Sequence, residues 1–316
     1  MIARIVLLTL LSAADMSMAQ EPQATTLRVS VSLVTVGVRV VDAKGRQVSG
    51  LHAADFALSE DGVAQRIEFF SSEEQPVSLG ILLDRSDSME PEGKLGRAKI
   101  AAQLLVDACH RESEYLYAPF DAAWHLGKFI EDREQVRREI GQTSLGAGTS
   151  LYDAVLAALS RCKYAKYGRQ ALILITDGAD QHSSHTLDDV VSAVQESQVQ
   201  IFAVGYFSSL EDRIFRSSGR LVTLVGGMPV DNPRIVFERL AKESGAEAFF
   251  PGSDKELQSA VEQISKDLAT QYTLAYYPSN PAPDGHYRRI QVKVRSGLRV
   301  RARPGYVLGK AISREP

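Results

Sequence analysis

The stretch Val77-Ser78-Leu79-Gly80-Ile81-Leu82-Leu83-Asp84-Arg85-Ser86-Asp87-Ser88-Met89 decides the fold. Its first part is an apolar run of strand length, of the kind a strand covered on both faces requires. The run ends abruptly in short oxygen-bearing side chains at every second position, Asp84, Ser86 and Ser88. Three uses for such oxygens follow from their chemistry: a helix cap, a phosphotransfer nucleophile, or a site for a hard cation.

Outward from this stretch, residues 77–268 alternate apolar strand-like runs with segments of helical period. QALILITD and VQIFAVGY read as further buried strands and AEAFF as a short one. KLGRAKIAAQLLVDACHR, DREQVRREIGQ, SLYDAVLAALSRC, TLDDVVSAVQES, RIVFERLAKESG and SDKELQSAVEQISKDLATQ read as helices, the last with Ser253 as its cap. YLYAPF and WHLGKFI predict two short strands forming a hairpin at one edge, with Trp124 as strand packing. This alternation is the mark of an α/β fold with a doubly wound, mainly parallel sheet. Residues 207–233 break the rhythm with glycines, serines and Pro229, and predict a surface insertion with a small hairpin.

The flanks differ. Residues 27–76 are rich in Val and Thr with period-two alternation and carry turn signals at Asp42-Ala43-Lys44-Gly45 and Asp61-Gly62. Residues 271–308 return to the same pattern, and the basic alternation of RVRARP predicts a solvated strand face. Neither flank is long enough to bury a core alone. The economical arrangement is one β-sandwich built from both flanks, with the α/β domain of residues 77–268 inserted between them.

Length and composition set outer bounds. A chain of 316 residues accommodates about two domains, and a net charge of −3 argues against a dominant nucleic-acid surface. Residues 1–19 read as an export signal: Arg4, a short apolar run from Ile5 to Leu11, and small residues at Ser17-Met18-Ala19 before cleavage at Gln20. No Cys follows that run to carry a lipid anchor, and no other segment is apolar enough to span a bilayer. The expectation is a secreted or periplasmic protein with no integral membrane span after signal cleavage. The two cysteines, Cys109 and Cys162, leave both a disulfide and a pair of buried thiols open.

Two further loops share the chemistry of the opening stretch. In GAGTSLYDA, Thr149 sits just before a helix; in LITDGAD, Asp177 follows a buried strand and Gly178 permits a sharp turn. Carboxyl ends of parallel strands share one rim, where ligands bind at the point of reversal of strand order. Asp84, Ser86, Ser88, Thr149 and Asp177 therefore converge on that rim. They offer only hydroxyl and carboxylate oxygens, which suits Mg²⁺ first and Mn²⁺ or Ca²⁺ as alternatives. A dication facing few direct anions stays electrophilic and accepts one more carboxylate, so the implied partner is a protein with an exposed acidic residue.

These motifs, in this order, resemble a von Willebrand factor type A domain with a metal-ion-dependent adhesion site, over about residues 77–268. The flanks resemble those of an exported, acidobacterial subfamily of such proteins. The resemblance implies a Rossmann-like sheet with one antiparallel edge strand. It also implies direct metal contact by Ser86, Ser88 and Thr149, with Asp84 and Asp177 acting through waters. Many members have Gly where this chain has Asp87, which is expected to face solvent; Asp87, Asp180 and His182 are the candidate partner contacts at the rim.

Other readings of the same residues are weaker. Capping explains each hydroxyl singly but not two aspartates ending buried strands. A phosphotransferase of the haloacid dehalogenase type places a second Asp where this chain has Ser86. GAGTS lacks the Lys of a phosphate-binding loop, and no Gly-x-Ser-x-Gly elbow occurs. His182 and His185, with Asp188 and Asp189 nearby, suit solvated side chains better than a transition-metal site. The expected function is cation-dependent protein binding or adhesion without enzymatic activity. The alternatives are an envelope scaffold with a purely stabilising cation and, last, a metal-dependent hydrolase.

Overall fold

The computed structural model describes residues 33–225, 228–269, 272–294 and 297–308, so the export-signal reading of residues 1–19 lies outside the described residues. The first flank forms strands β1 (Val34–Val41), β2 (Phe56–Glu60), β3 (Val63–Gln65) and β4 (Phe69–Ser71). In β1 the first residues alternate between buried and half-buried, as a strand on a core surface demands. The β2–β3 turn has positive φ at both Asp61 (48°) and Gly62 (82°), the geometry of the tightest hairpins.

The middle of the chain runs β5 (Ser78–Asp84), α1 (Lys94–Asp107), β6 (Glu114–Phe120), α2 (Arg133–Gln142), α3 (Leu151–Cys162) and β7 (Gln170–Thr176). It continues through α4 (Leu187–Glu196), β8 (Gln200–Gly205), α5 (Ser209–Ser218), β9 (Val222–Val225), β10 (Met228–Asp231), α6 (Pro233–Ser244), β11 (Ala248–Phe249) and α7 (Asp254–Ala269). Five strands form a sheet in the order β11-β8-β7-β5-β6, every pair parallel. Every residue of β5 is buried, because α1, α2 and α7 cover one face and α3, α4 and α6 the other. Gly80 lets β7 approach: a Cβ there would lie 2.2 Å from Leu172 Cδ2. Strand order reverses at β5, with β6 on one side and β7 on the other, so the crevice expected of a doubly wound sheet opens between the ends of β5 and β7.

The edge hairpin differs from expectation. Residues 124–130 form no strand and pair with β6 through isolated antiparallel bridges, Phe120 with Trp124 and Tyr115 with Ile130. The two bridges are one residue out of register, so no ladder can run between them. The insertion matches its expectation, with α5 followed by the β9–β10 hairpin.

The second flank supplies β12 (Tyr272–Tyr276), β13 (Tyr287–Val294), β14 (Arg299–Arg301) and β15 (Gly305–Val307). Strands of the two flanks interleave in two sheets, ordered β14-β1-β12-β4 and β15-β13-β2-β3. Their inner faces share one core that includes Val36, Val38, Phe56, Leu58, Leu274 and Ile290. Within it the Glu60 carboxylate accepts hydrogen bonds from Tyr276 (2.7 Å) and Tyr306 (2.9 Å) and faces the buried Arg288 guanidinium at 3.5 Å. A buried carboxylate satisfied in this way is tolerable; an unpaired one is not.

The flanks grip the α/β part at the amino ends of its strands, away from the β5–β7 crevice. Arg39 of β1 pairs with Asp267 of α7 at 2.9 Å and with Glu247, just before β11, at 3.3 Å. Within RVRARP, Arg299 and Arg301 are exposed as expected of a solvated strand face, and only Arg303 departs from it. Arg301 pairs with Glu247, and Arg303 is buried, donating to the carbonyls of Gln195 (3.0 Å) and Ser197 (2.7 Å). A cation there satisfies orphan carbonyls at the end of α4 and complements the helix dipole. Arg303→Met should therefore lower the unfolding free energy by about 2 kcal/mol, as expected for buried charge-assisted hydrogen bonds. Urea unfolding followed by circular dichroism measures it; a change within error would remove this capping role.

The two cysteines are free and buried. Cys109, at the end of α1, belongs to the core on one face of the parallel sheet, and Cys162, ending α3, to the core on the other. The sheet itself stands between them, which closes the disulfide alternative left open by the sequence. Burial pushes both thiols up to about 12. Thiol labelling should give no reaction in the native protein and two free thiols after denaturation without reductant.

Candidate metal centre

Asp84 and Asp177 mark the carboxyl ends of two neighbouring parallel strands, so the sheet itself brings them together. Asp84 is fully buried; one carboxylate oxygen accepts from the Ser86 amide (2.8 Å) and the other from the Thr176 hydroxyl (2.5 Å). Asp177 is also buried, and its Oδ1 accepts from the Ser88 hydroxyl at 2.8 Å. Ser86 Oγ lies 2.9 Å from Ser88 Oγ, and because Ser88 spends its only proton on Asp177, Ser86 is the donor in that contact. A directed chain Ser86–Ser88–Asp177 results. Ser88 is exposed while Ser86 is buried, so the site opens at Ser88.

Burial raises the Asp84 carboxyl to about 6, with the neighbouring Asp177 charge adding to it and the hydrogen bonds from Thr176 and Ser86 opposing. Burial raises Asp177 too, against the opposing pull of Lys94 and Ser88. Two desolvated carboxylates side by side are the electrostatic signature of a site that calls for a cation.

Thr149 reaches the same place from the loop before α3. A Cβ built on Gly178 would lie 3.7 Å from Thr149 Oγ1 and 4.0 Å from Asp84 Oδ2, so both oxygens converge on that glycine. The loop is held by its own contacts. The Gly146 amide donates to Arg85 O (2.7 Å), Ala122 N to Ala147 O (2.9 Å) and Ser150 N to Asp121 O (2.7 Å). Arg85 pairs with Asp121 at 2.7 Å, and Gly146 packs so tightly over Asp121 that a Cβ would collide with Oδ2 at 1.9 Å. Gly148 has φ +73° and lies against His182.

Capping does not occupy these hydroxyls. Ser86 makes no side-chain cap hydrogen bond, and the N-cap of α3 is Ser150, whose hydroxyl donates to Ala122 O instead. The three rim candidates have separate fates. Asp87 is exposed. Asp180 turns inward, its Oδ1 accepting from the Tyr152 amide (3.1 Å) at the start of α3 and from Ser183 (2.5 Å). His182 is exposed, with Nδ1 accepting from the Thr149 amide at 3.2 Å, which fixes the backbone beside the candidate ligand. His185 Nδ1 lies 2.8 Å from Asp153, and among the described residues no group of three or more His, Cys, Asp and Glu is placed to hold a metal.

Sequence reasoning missed three members of the site. Thr176 presents its hydroxyl to Asp84 from the last position of β7. Lys94, the first residue of α1, places Nζ 2.6 Å from Asp177 Oδ2, and Glu211 of α5 stands 3.8 Å from the same ammonium. One signal was present: a lysine opening a helix opposes the helix dipole and needs a reason.

A family model described as von Willebrand factor type A domain matches residues 79–263, more than half of the chain. The human von Willebrand factor A domain-containing protein 3B is 28% identical over 153 residues; the match spans 46% of this chain and 11% of that protein. Among solved structures, a von Willebrand factor type A protein from Catenulispora acidiphila aligns at a TM-score of 0.49 and 13% identity, covering 82% of this chain and 76% of that one. The vWF domain of the type V pili tip protein Mfa5 from Porphyromonas gingivalis aligns at 0.48 and 12% identity, covering 61% and 95%.

The raised Asp84 carboxyl makes a stability prediction. Its folded value lies above its unfolded one, so the protonated form favours the fold; that contribution is complete below about pH 4 and is lost as the pH rises through about 6. In chelator, wild-type stability should fall across that window by up to about 3 kcal/mol, and Asp84→Asn should flatten the fall and gain about 1–2 kcal/mol at pH 8. Denaturant unfolding at stepped pH checks both. A variant as pH-dependent as the wild type would refute the assignment of the buried charge to Asp84.

Proposed function

The chain belongs to the von Willebrand factor type A family, and from that premise we propose that it is an exported module that binds a partner protein through a divalent cation. Domains of this family are interaction modules built around such a cation. In this chain Ser86, Ser88 and Thr149 would supply neutral oxygens and Asp84 and Asp177 the negative charge, a donor set that fits a hard ion, Mg²⁺ before Mn²⁺ or Ca²⁺. When bound, the ion supplies a positive centre that takes an acidic side chain of the partner as an additional ligand.

The observation that carries this reading is that three hydroxyls beside two buried carboxylates are released from capping duty. The same geometry speaks against phosphotransfer. Asp84 is fully buried with both oxygens engaged, which suits a carboxylate that orders its surroundings better than one that attacks a phosphorus. The open side of the site lies at Ser88, with Asp87 exposed beside it, while the two-sheet flank grips the opposite ends of the strands. That polarity supports a stalk role for the sandwich and presentation of the rim to a partner. Among the described residues no helix is long and apolar enough to cross a membrane, and export rests on the reading of residues 1–19.

Isothermal titration should show one site for Mg²⁺ or Mn²⁺, lost in Asp84→Ala and weakened at least tenfold in Thr149→Ala, the loss of a ligand in an already sparse set. Capture of an envelope partner by the immobilised protein should require the cation and fail in chelator. Undiminished metal binding by Asp84→Ala would sink the site assignment; chelator-resistant capture would sink the cation-dependent mode of binding.

A further inference from the structure

Lys94 occupies a position that general physics disfavours twice. It opens α1, where the helix dipole repels a cation, and the residue is only 6% exposed. Its ammonium is compensated by oxygens from three separate elements. Asp177 Oδ2, after β7, lies at 2.6 Å; Ser88 O, in the loop after β5, at 3.4 Å; Glu211 Oε2, on α5 of the insertion, at 3.8 Å. Asp177 is thereby divided, with Oδ1 given to Ser88 and Oδ2 to Lys94. Any second cation drawing on this carboxylate meets a positive charge already fixed to it by the chain.

We propose that Lys94 is a tethered counter-cation that competes with the divalent ion for Asp177, and that Glu211 is its alternative partner, so that the insertion sets the metal affinity of the site. The proposal rests on the cation-binding reading given above. The Lys94 side chain is anchored by its helix but ends in a flexible ammonium, which can shift its weight between Asp177 and Glu211 without moving the backbone. Glu211 is held for this role: the same Oε2 accepts from the Ser208 amide at 2.8 Å in the capping box of α5. The more Glu211 draws the ammonium, the more of Asp177 is available to the divalent ion, and by linkage the ion in turn favours the Lys94–Glu211 contact.

The full chain is titrated with MnCl₂ as wild type, Lys94→Met, Lys94→Arg, Glu211→Gln and the Lys94→Met/Glu211→Gln double variant. Removing the charge in Lys94→Met should tighten Mn²⁺ binding roughly tenfold or more, while Lys94→Arg stays within about threefold of wild type. Glu211→Gln should weaken binding, and that effect should shrink in the Lys94→Met background, a coupling the double-mutant cycle isolates. Thermal unfolding gives an independent readout: Lys94→Met should melt lower than wild type in chelator and gain more from added Mn²⁺. Unchanged or weaker Mn²⁺ binding by a folded Lys94→Met, or equal tightening by Lys94→Arg, overturns the proposal. If Lys94→Met fails to fold, Glu211→Gln decides, and binding as tight as wild type overturns it. A wild type that binds no Mn²⁺ overturns the cation reading itself and this inference with it.

Discussion

Two carboxylates, Asp84 and Asp177, stand at the ends of adjacent buried strands, and the arrangement around them answers to that constraint. Like charges in a poorly solvated place raise each other's proton affinity and disfavour the folded state unless something answers them. The chain answers with oriented dipoles before charges. The Ser86 amide and the Thr176 hydroxyl are spent on Asp84, and the Ser86–Ser88 relay ends on Asp177. Among the described residues one full positive charge is paired with them, that of Lys94 on Asp177. The fold thus keeps a local deficit at the rim, the ordinary relation between stability and a binding site.

The parallel sheet is what permits the deficit to be local. Strands buried on both faces contribute an apolar core that runs beneath the rim, and the sandwich is fastened to the far ends of the same strands. The fastening is itself polar, through Arg39 to Asp267 and Arg303 to the end of α4. Gly245, with φ +82°, ends α6 where a Cβ would meet the Arg303 backbone nitrogen at 2.4 Å, so helix and sandwich approach as closely as backbones can. This junction lies away from the rim, and the site chemistry is left to the loops.

How much of this was legible in the sequence depended on range. That Asp84, Ser86, Ser88, Thr149 and Asp177 come together was readable because an apolar run ending in alternating oxygens is a local pattern and strand topology places such ends side by side. The interleaving of flank strands followed from the insufficiency of either flank. Lys94 opens an amphipathic helix against its dipole, the one local signal, but its partner lies 83 residues away and nothing local identifies it. Arg303 was misread because alternation assigns strand faces only while the strand lasts; β14 ends at Arg301, and the next arginine turns into the α4 terminus. The edge hairpin failed for a similar reason, a one-residue slip of register that no propensity records. Asp180, placed by sequence at the rim, was drawn inward by the unsatisfied amides of α3.

Lys94 also changes how the charge of the site should be counted. With Asp84 and Asp177 ionised, their two charges would balance those of a dication, so a further carboxylate would be drawn mainly by the open coordination position. The buried ammonium shifts that balance by one unit toward positive, while Glu211, with its side chain 35% exposed, is screened by water and offsets it only in part. On the proposed reading, the lysine that weakens the hold on a cation would also strengthen the demand for an external anion once a cation is held. Affinity for the ion and appetite for the partner would then be traded against each other at one side chain, so that a neutral residue at this position would give a tighter metal site and a poorer receptor.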